Sequence, residues 1–221
     1  QAPLLPFPPA PFPPCPTIIM NPAPEIQRLL DIMPASGRML TKIISKPEQP
    51  KIIDSPFPLP WKQNRPIYIN FDLWRQLSKP QRDMLLLRTV SWLISIKWFK
   101  ADLYQGIVIA AILGTMVEVI QADAIGIVIG GSLSALAISQ IWRNNYNSKS
   151  ELLADEAAIQ VAQRRGYNET EAAEYLLSAI ETVAKIEGRI GLDFTELIRC
   201  QNLRSIAGIS PIGVPGSIRK E

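Results

Sequence analysis

The sequence predicts an α+β fold that is mainly helical: a small N-terminal sheet, a buried central helix, a two-helix transmembrane hairpin and C-terminal helices. Three observations predict it. Of the 20 prolines, 18 lie in the first 80 residues and none lies between positions 81 and 210, so irregular and extended backbone precedes a helical body. No Lys or Arg occurs from Ala101 to Trp142. Charged residues make up 19% of the chain against 47% apolar ones, which is low in charge for a protein surrounded by water.

The elements follow in order. Residues 1–19 form a proline-rich lead without the basic start and continuous apolar run of a secretory signal. They read as a disordered extension, or as a proline-rich ligand for an aromatic groove. The stretch "MNPAPEIQRLLDIM" then looks like a natural beginning, with Ile26, Leu29, Leu30 and Met33 on one face of a short helix. "MLTKIIS", "PKIID" and "PIYIN" are rich in β-branched and aromatic residues and bounded by prolines, so they predict short strands. "FDLWRQL" predicts a helical turn. Ser78 and Gln81 then form a capping box, with a proline tolerated in the first turn, and open a helix that runs to about Phe99.

"LYQGIVIAAILGTMV" and "AIGIVIGGSLSALAISQI" flank a polar link, "EVIQAD". Split evenly, each leg rises ~31 Å, close to the ~30 Å of a hydrocarbon core, which predicts a membrane hairpin over residues 101–143. A buried hairpin away from any membrane is the alternative. Gly106, Ala110 and Gly114 on one leg, and Gly126, Gly130 and Ser134 on the other, recur at four-residue spacing. Such faces pack the legs on each other or receive a partner's helix. Lys97, Lys100, Arg143 and Lys149 flank the hairpin while Glu118 and Asp123 mark its link, so both termini are expected on the cytoplasmic or stromal side of a bilayer.

After the hairpin, one helix ends at Gly166, and a second starts at the capping pair Asn168 and Glu171 and stops at Gly188. A short helix begins at Asp193 with Glu196 completing its box, and a Gly/Pro-rich tail follows. The expected organisation is therefore a lead (1–19), an N-terminal unit (20–100), the hairpin (101–143), C-terminal helices (144–190) and a short helix with a tail (191–221).

The chain contains no histidine, which removes His-based metal sites, Ser-His-Asp triads and Cys-His dyads. Its cysteines, Cys15 and Cys200, match no zinc spacing and make no disulfide framework. A net charge of +3 without Lys/Arg blocks among aromatics gives no reason to expect nucleic acid.

A strand, "IIDSPFPLPW", the strand "IYIN", an apolar helix, a hairpin and then "ELLADEAA" together resemble the membrane zinc endopeptidases of the HtpX and prenyl-protein (CAAX) protease type, over roughly residues 40–180. In that family the apolar helix carries HExxH and the later helix ExxAD. The two His hold Zn²⁺, the Glu between them is the base for a zinc-bound water, and a Glu from the later helix is the third ligand. Here HExxH falls on "RTVSW". Arg88 and Trp92 take the two His places and Thr89 that of the base. Arg is permanently cationic, indole only donates, and a Thr hydroxyl is no base near neutral pH. Glu151 keeps the third ligand's place and Asp155 follows four residues on.

The resemblance thus implies a metallopeptidase-like fold without zinc, no cofactor and no catalysis. Arg88 is expected to pair with Glu151, with Asp155 or with both, replacing the metal as the tie between two helices. The resemblance also implies that an edge strand beside the site aligns an extended peptide; Pro66, Ile67, Tyr68, Ile69 and Asn70 are the candidate edge. Further phrases, "PEIQRLLDIMPASGRM", "RPIYINFDLW", "QRDMLLLRTVSWL", "SQIWRNN" and "FTELIRCQNLR", are similar to a cyanobacterial membrane-protein family of unknown function with chloroplast relatives. This implies a thylakoid or plasma-membrane setting. The partners expected are a lipid bilayer and other membrane proteins, with a photosynthetic complex as a candidate.

The leading reading is a non-catalytic integral membrane scaffold or assembly factor that holds another polypeptide. The alternatives are a small membrane transporter or channel subunit, and an enzyme of unrecognised chemistry around Ser91, Lys97 or Cys200.

Overall fold

The computed structural model describes residues 21–58, 64–96, 148–210 and 213. Their order is α1 (Ala23–Ile32), α2 (Ala35–Leu40), β1 (Thr41–Ser45), β2 (Ile53–Asp54), β3 (Arg65–Ile69), α3 (Phe71–Trp74), α4 (Lys79–Ser95), α5 (Ser148–Gln163), α6 (Glu169–Ile186) and α7 (Phe194–Ile206). The described part is mainly helical α+β, with a three-stranded sheet in the order β1-β3-β2.

Local chemistry sets most of these boundaries. The Ser78 backbone N–H donates to Gln81 Oε1 at 2.9 Å, which closes the start of α4. The Gln81 amide then reaches Ser178 Oγ at 2.7 Å on α6, so one residue both caps a helix and ties it to another. Asn168 with Glu171, and Asp193 with Glu196, form the capping boxes of α6 and α7. Gly166 and Gly188 follow α5 and α6 at φ 93° and 67°, the left-handed conformation that ends a helix where an L side chain is disfavoured.

Helix α4 is the centre of the molecule. From Asp83 to Leu93 it is buried on nearly all sides, as a helix enclosed by others is. Leu86, Val90 and Leu93 face a core shared with Leu29, Met33, Ile43, Ile67, Ile69 and Trp74 from the sheet and α1. Met84 and Leu87 face a second core with Ala158, Ala162, Leu176, Ile180, Cys200 and Leu203 from α5, α6 and α7. Helix α2 comes close to α4 at Gly37, where an added Cβ would lie 2.6 Å from Val90 Cγ1.

Two expectations are corrected here. No helix among the described residues is long and apolar enough to cross a membrane. The transmembrane hairpin therefore drops out of the fold class, and with it the integral-membrane placement. Residues 97–147 lie outside the described residues, and so do Gly106, Ala110, Gly114, Gly126, Gly130 and Ser134 of the two expected packing faces. The expectation rested on hydropathy, leg length and flanking charge, and the strictly apolar part of its first leg, Leu103 to Val117, is shorter than the about 20 residues a span requires.

The second correction concerns Pro66 to Asn70. Strand β3 is the middle strand: β1 runs parallel along one side from Thr41↔Arg65 to Ser45↔Ile69, and β2 pairs antiparallel on the other at Ile53↔Ile69 and Asp54↔Tyr68. Pro66 is tolerated because β2 stops short of it. Its carbonyl faces that side and accepts from Ser55 Oγ at 2.9 Å, so the missing N–H removes no ladder bond. Ile67 and Ile69 are core residues. Tyr68 lies under Lys46 Nζ, 5.3 Å from its ring centroid. Asn70 is a structural cap: it accepts from the Asp72 and Leu73 N–H groups and donates to the Pro47 and Gln49 carbonyls.

A polar cluster fastens α1 to α4. Arg28 donates to both oxygens of Glu25 at 2.8 and 2.9 Å and to Asp83 Oδ1. Glu25 also accepts from Arg82 at 2.9 Å and from Trp74 Nε1 at 3.2 Å. The hydrogen bonds from Arg28 hold the Glu25 carboxyl below its usual value of 4.5; burial opposes this and Trp74 adds to it. A carboxyl lowered in the folded state stabilises the fold above its unfolded pKa, and that contribution is lost as pH falls through the folded value. Stability should accordingly decline below pH of about 4.5, and Glu25→Gln should flatten that decline while lowering stability at neutral pH. Denaturant titrations of both proteins across the acid range measure it; identical slopes would contradict the assignment.

Candidate functional site

The cleft that best combines charge, burial and unpaired polar groups lies where β2 meets α4 and α5. It measures about 160 Å³ and is lined by Ile53, Asp54, Ser55, Arg88, Thr89, Trp92 and Glu151. Arg88, Thr89 and Trp92 arrive together because α4 places residues four apart on one face. Glu151 comes from the first turn of α5, which packs along α4.

Arg88 and Glu151 form a direct ion pair between the guanidinium Nη2 and a carboxylate oxygen. Asp155, one turn further along α5, is completely buried and lies 3.7 Å from Arg88 Nε. Both Asp155 oxygens are taken by Arg199 of α7, from Nε and Nη2 at 2.8 Å each. This paired fork is the strong form of an arginine–carboxylate contact. Four charged groups from three helices therefore alternate in sign: Glu151, Arg88, Asp155, Arg199.

Burial and the nearby Arg199 charge push the Arg88 guanidinium down to about 9, with Asp155 and Glu196 pulling the other way. It remains cationic at neutral pH. Burial also works against the Arg199 charge, but the Asp155 carboxylate and its two hydrogen bonds outweigh it, so Arg199 is raised. Two cations held this close are stable only with the carboxylates between them.

Thr89 Oγ1 donates to the Leu85 carbonyl at 2.8 Å, a bond within its own helix. Trp92 is 7% exposed and meets Phe57 edge-on, with ring centroids 6.3 Å apart. Its indole Nε1 is buried and finds no hydrogen-bond acceptor among the described residues, and the same holds for Arg88 Nε. Asp54 pairs with Lys51 at 3.0 Å at the rim. Among the described residues no group of three or more His, Cys, Asp or Glu stands together as a metal site. The charged and polar groups at the cleft make ion pairs and hydrogen bonds.

The structure thus brings together Arg88, Thr89, Trp92, Glu151 and Asp155, and it places Pro66 to Asn70 in the sheet interior instead of at an edge. The strand beside the cleft is β2, through Ile53 and Asp54. Sequence reading passed over Arg199 and Asp54. Arg199 carried a usable signal: with Cys200 and Leu203 it falls on the buried face of α7, where an arginine requires a carboxylate partner. Asp54 carried none, because its place depends on pairing across the sheet.

A larger cleft, about 360 Å³, lies beside Arg28, Asp83, Arg165 and Tyr167. Most of its polar groups already have partners. Arg165 donates to the Ile32 and Met33 carbonyls, Tyr167 to Asp83 at 2.7 Å, and Arg28 to Glu25 and Asp83. It reads as a structural seam between α1, α4 and the turn after α5.

The two carboxylates of the charge chain should differ sharply in cost. Asp155→Asn leaves two buried guanidinium groups facing each other and should lower stability by about 3–5 kcal/mol. Glu151→Gln, at the cleft wall, keeps an acceptor for Arg88 and should cost about 1 kcal/mol. Urea denaturation of both variants reads the difference, and equal costs would contradict the geometry described.

No curated protein and no solved structure matches the chain. A family model does, that of a protein of unknown function (DUF3318), over residues 27–167. That span carries the sheet, α4 with Arg88 and Trp92, and α5 with Glu151 and Asp155. It covers more than half of the sequence, and the chain belongs to the DUF3318 family.

Proposed function

We propose that this protein is a non-catalytic scaffold on a peptidase-like frame, holding a segment of another polypeptide beside β2 and α4 as an accessory or assembly factor of a larger complex. A photosynthetic complex is the partner class that the sequence resemblance implies. The observation that carries the reading is the Arg88–Glu151 ion pair. A permanent cation stands at a metal-ligand place of the resemblance and is joined to the carboxylate at another. The bridge ties the two helices that a metal would tie.

Support for binding comes from the cleft wall. Trp92 offers aromatic surface and an unpaired donor, and the short β2 offers an outer edge. Asn70 N–H donates to the Ile52 carbonyl, so Ile52 and Asp54 turn inward and Ile53 turns its backbone groups outward. An extended chain pairs with such groups.

An enzyme of another chemistry has less support. Ser91 is buried, and Cys200 is 1% exposed with its thiol pushed up to about 11 by burial. A thiol held protonated is a poor nucleophile.

Co-purification from the native source tests the proposal, with the cleft variant Asp54→Arg alongside the wild type. A polypeptide recovered in stoichiometric amount with the wild type and lost from the variant is the expected result. Chelator-sensitive proteolysis by the purified protein, or no difference between wild type and variant, would overturn it.

A further inference from the structure

The Arg88–Trp92 cleft carries an inference about what it binds. Two residues that line it carry buried N–H groups without a hydrogen-bond acceptor among the described residues: Trp92 Nε1, and Arg88 Nε, which lies 3.7 Å from Asp155 Oδ1. They sit four residues apart on one face of α4, and both residues line the cleft. A buried N–H left unpaired costs about 1–3 kcal/mol, so a group presenting an acceptor there recovers that loss. The cleft also presents carboxylates: Asp54 on the β2 side, paired with Lys51, and Glu151 on the α5 side, paired with Arg88.

The charge pattern selects among acceptor groups. A carboxylate or phosphate would satisfy the donors but meet Asp54 and Glu151, and Arg88 is already engaged by Glu151 and Asp155. An ammonium or guanidinium would suit the carboxylates but bring only donors to the indole and to Arg88. A neutral group with a carbonyl oxygen on one side and an N–H on the other meets both walls. The volume, about 160 Å³, is room for such a group of four or five heavy atoms and little more.

We propose that this cleft is an amide-binding site: it takes the carbonyl of an amide on the Trp92 and Arg88 side and the amide N–H on the carboxylate side. The amide is an Asn or Gln side chain, or a peptide bond, of the held polypeptide. Opening of the indole edge by a small ring shift accompanies binding, since Nε1 is covered in the free cleft. This rests on the scaffold reading above, yet the two fail separately, because small amides probe the cleft with no polypeptide present.

The test uses the full chain with ¹⁵N-labelled indoles, whose five tryptophans give resolvable N–H signals. Trp92→Phe assigns the signal by its loss. Acetamide, N-methylacetamide, acetate and guanidinium are titrated at matched ionic strength. The expected result is a saturable shift of the Trp92 signal with an amide and none with acetate or guanidinium. A response to acetamide alone points to a carboxamide side chain, and one that includes N-methylacetamide to a peptide bond. Asp54→Asn, at the exposed rim, provides a second variant that keeps the core intact; removing its charge should let acetate shift the Trp92 signal that it leaves unmoved in the wild type. A Trp92 signal unmoved by both amides, or moved equally by acetate in the wild type, overturns the proposal.

Discussion

The described part of this protein depends on a chain of alternating charge that crosses three helices. Glu151 meets Arg88, Arg88 lies beside Asp155, and Asp155 is gripped through both oxygens by Arg199. Each member is an expensive group to bury alone. Taken singly, Asp155 at full burial or Arg199 at 7% exposure would destabilise the fold; in alternation each screens the next. The arrangement fixes how α4, α5 and α7 sit on one another, more narrowly than the small apolar residues around it, such as Ala154 and Ala158, would by packing alone. It also fixes the position of Trp92, because the indole shares a face of α4 with Arg88.

What the sequence made legible was local. Capping pairs at Ser78, Asn168 and Asp193, and glycines after α5 and α6, act over three or four residues, so their chemistry appears in order along the chain. The short strands were legible by composition. Their order was not: the polar end of "PIYIN" suggests an edge, whereas Asn70 is polar because it caps α3 and binds two loop carbonyls. Strand order is a long-range property, and a two-residue strand such as β2 carries too little pattern to announce that it covers a neighbour. Arg88 and Glu151 were picked out by the order of motifs and stand side by side. Arg199 went unnoticed because an arginine within an apolar helix face stands out only once the face is known. The apolar stretch read as a membrane hairpin shows the limit of hydropathy, which measures reluctance to face water and not the medium that replaces it.

An arginine standing where the peptidase resemblance implies a metal ligand, as proposed above, would connect features that otherwise look unrelated. A buried tryptophan has an unused donor, a threonine is bonded to its own helix, and a small cleft has carboxylates opposite donors. In a hydrolase these positions would serve water activation. On the proposed reading they make a surface suited to neutral polar groups, as a protein that retains what it binds would need. Rigid support from both cores around α4 means that binding there needs little reorganisation.

The most direct test of this account is a double-mutant cycle across the α4–α5 bridge, using Arg88→Met, Glu151→Met and the pair, with stability read by denaturant unfolding. The account predicts a favourable coupling of about 2 kcal/mol, with the double variant more stable than the sum of the single losses allows. Additive losses, within about 0.5 kcal/mol, would mean that the two side chains touch without holding the helices together, and would contradict it.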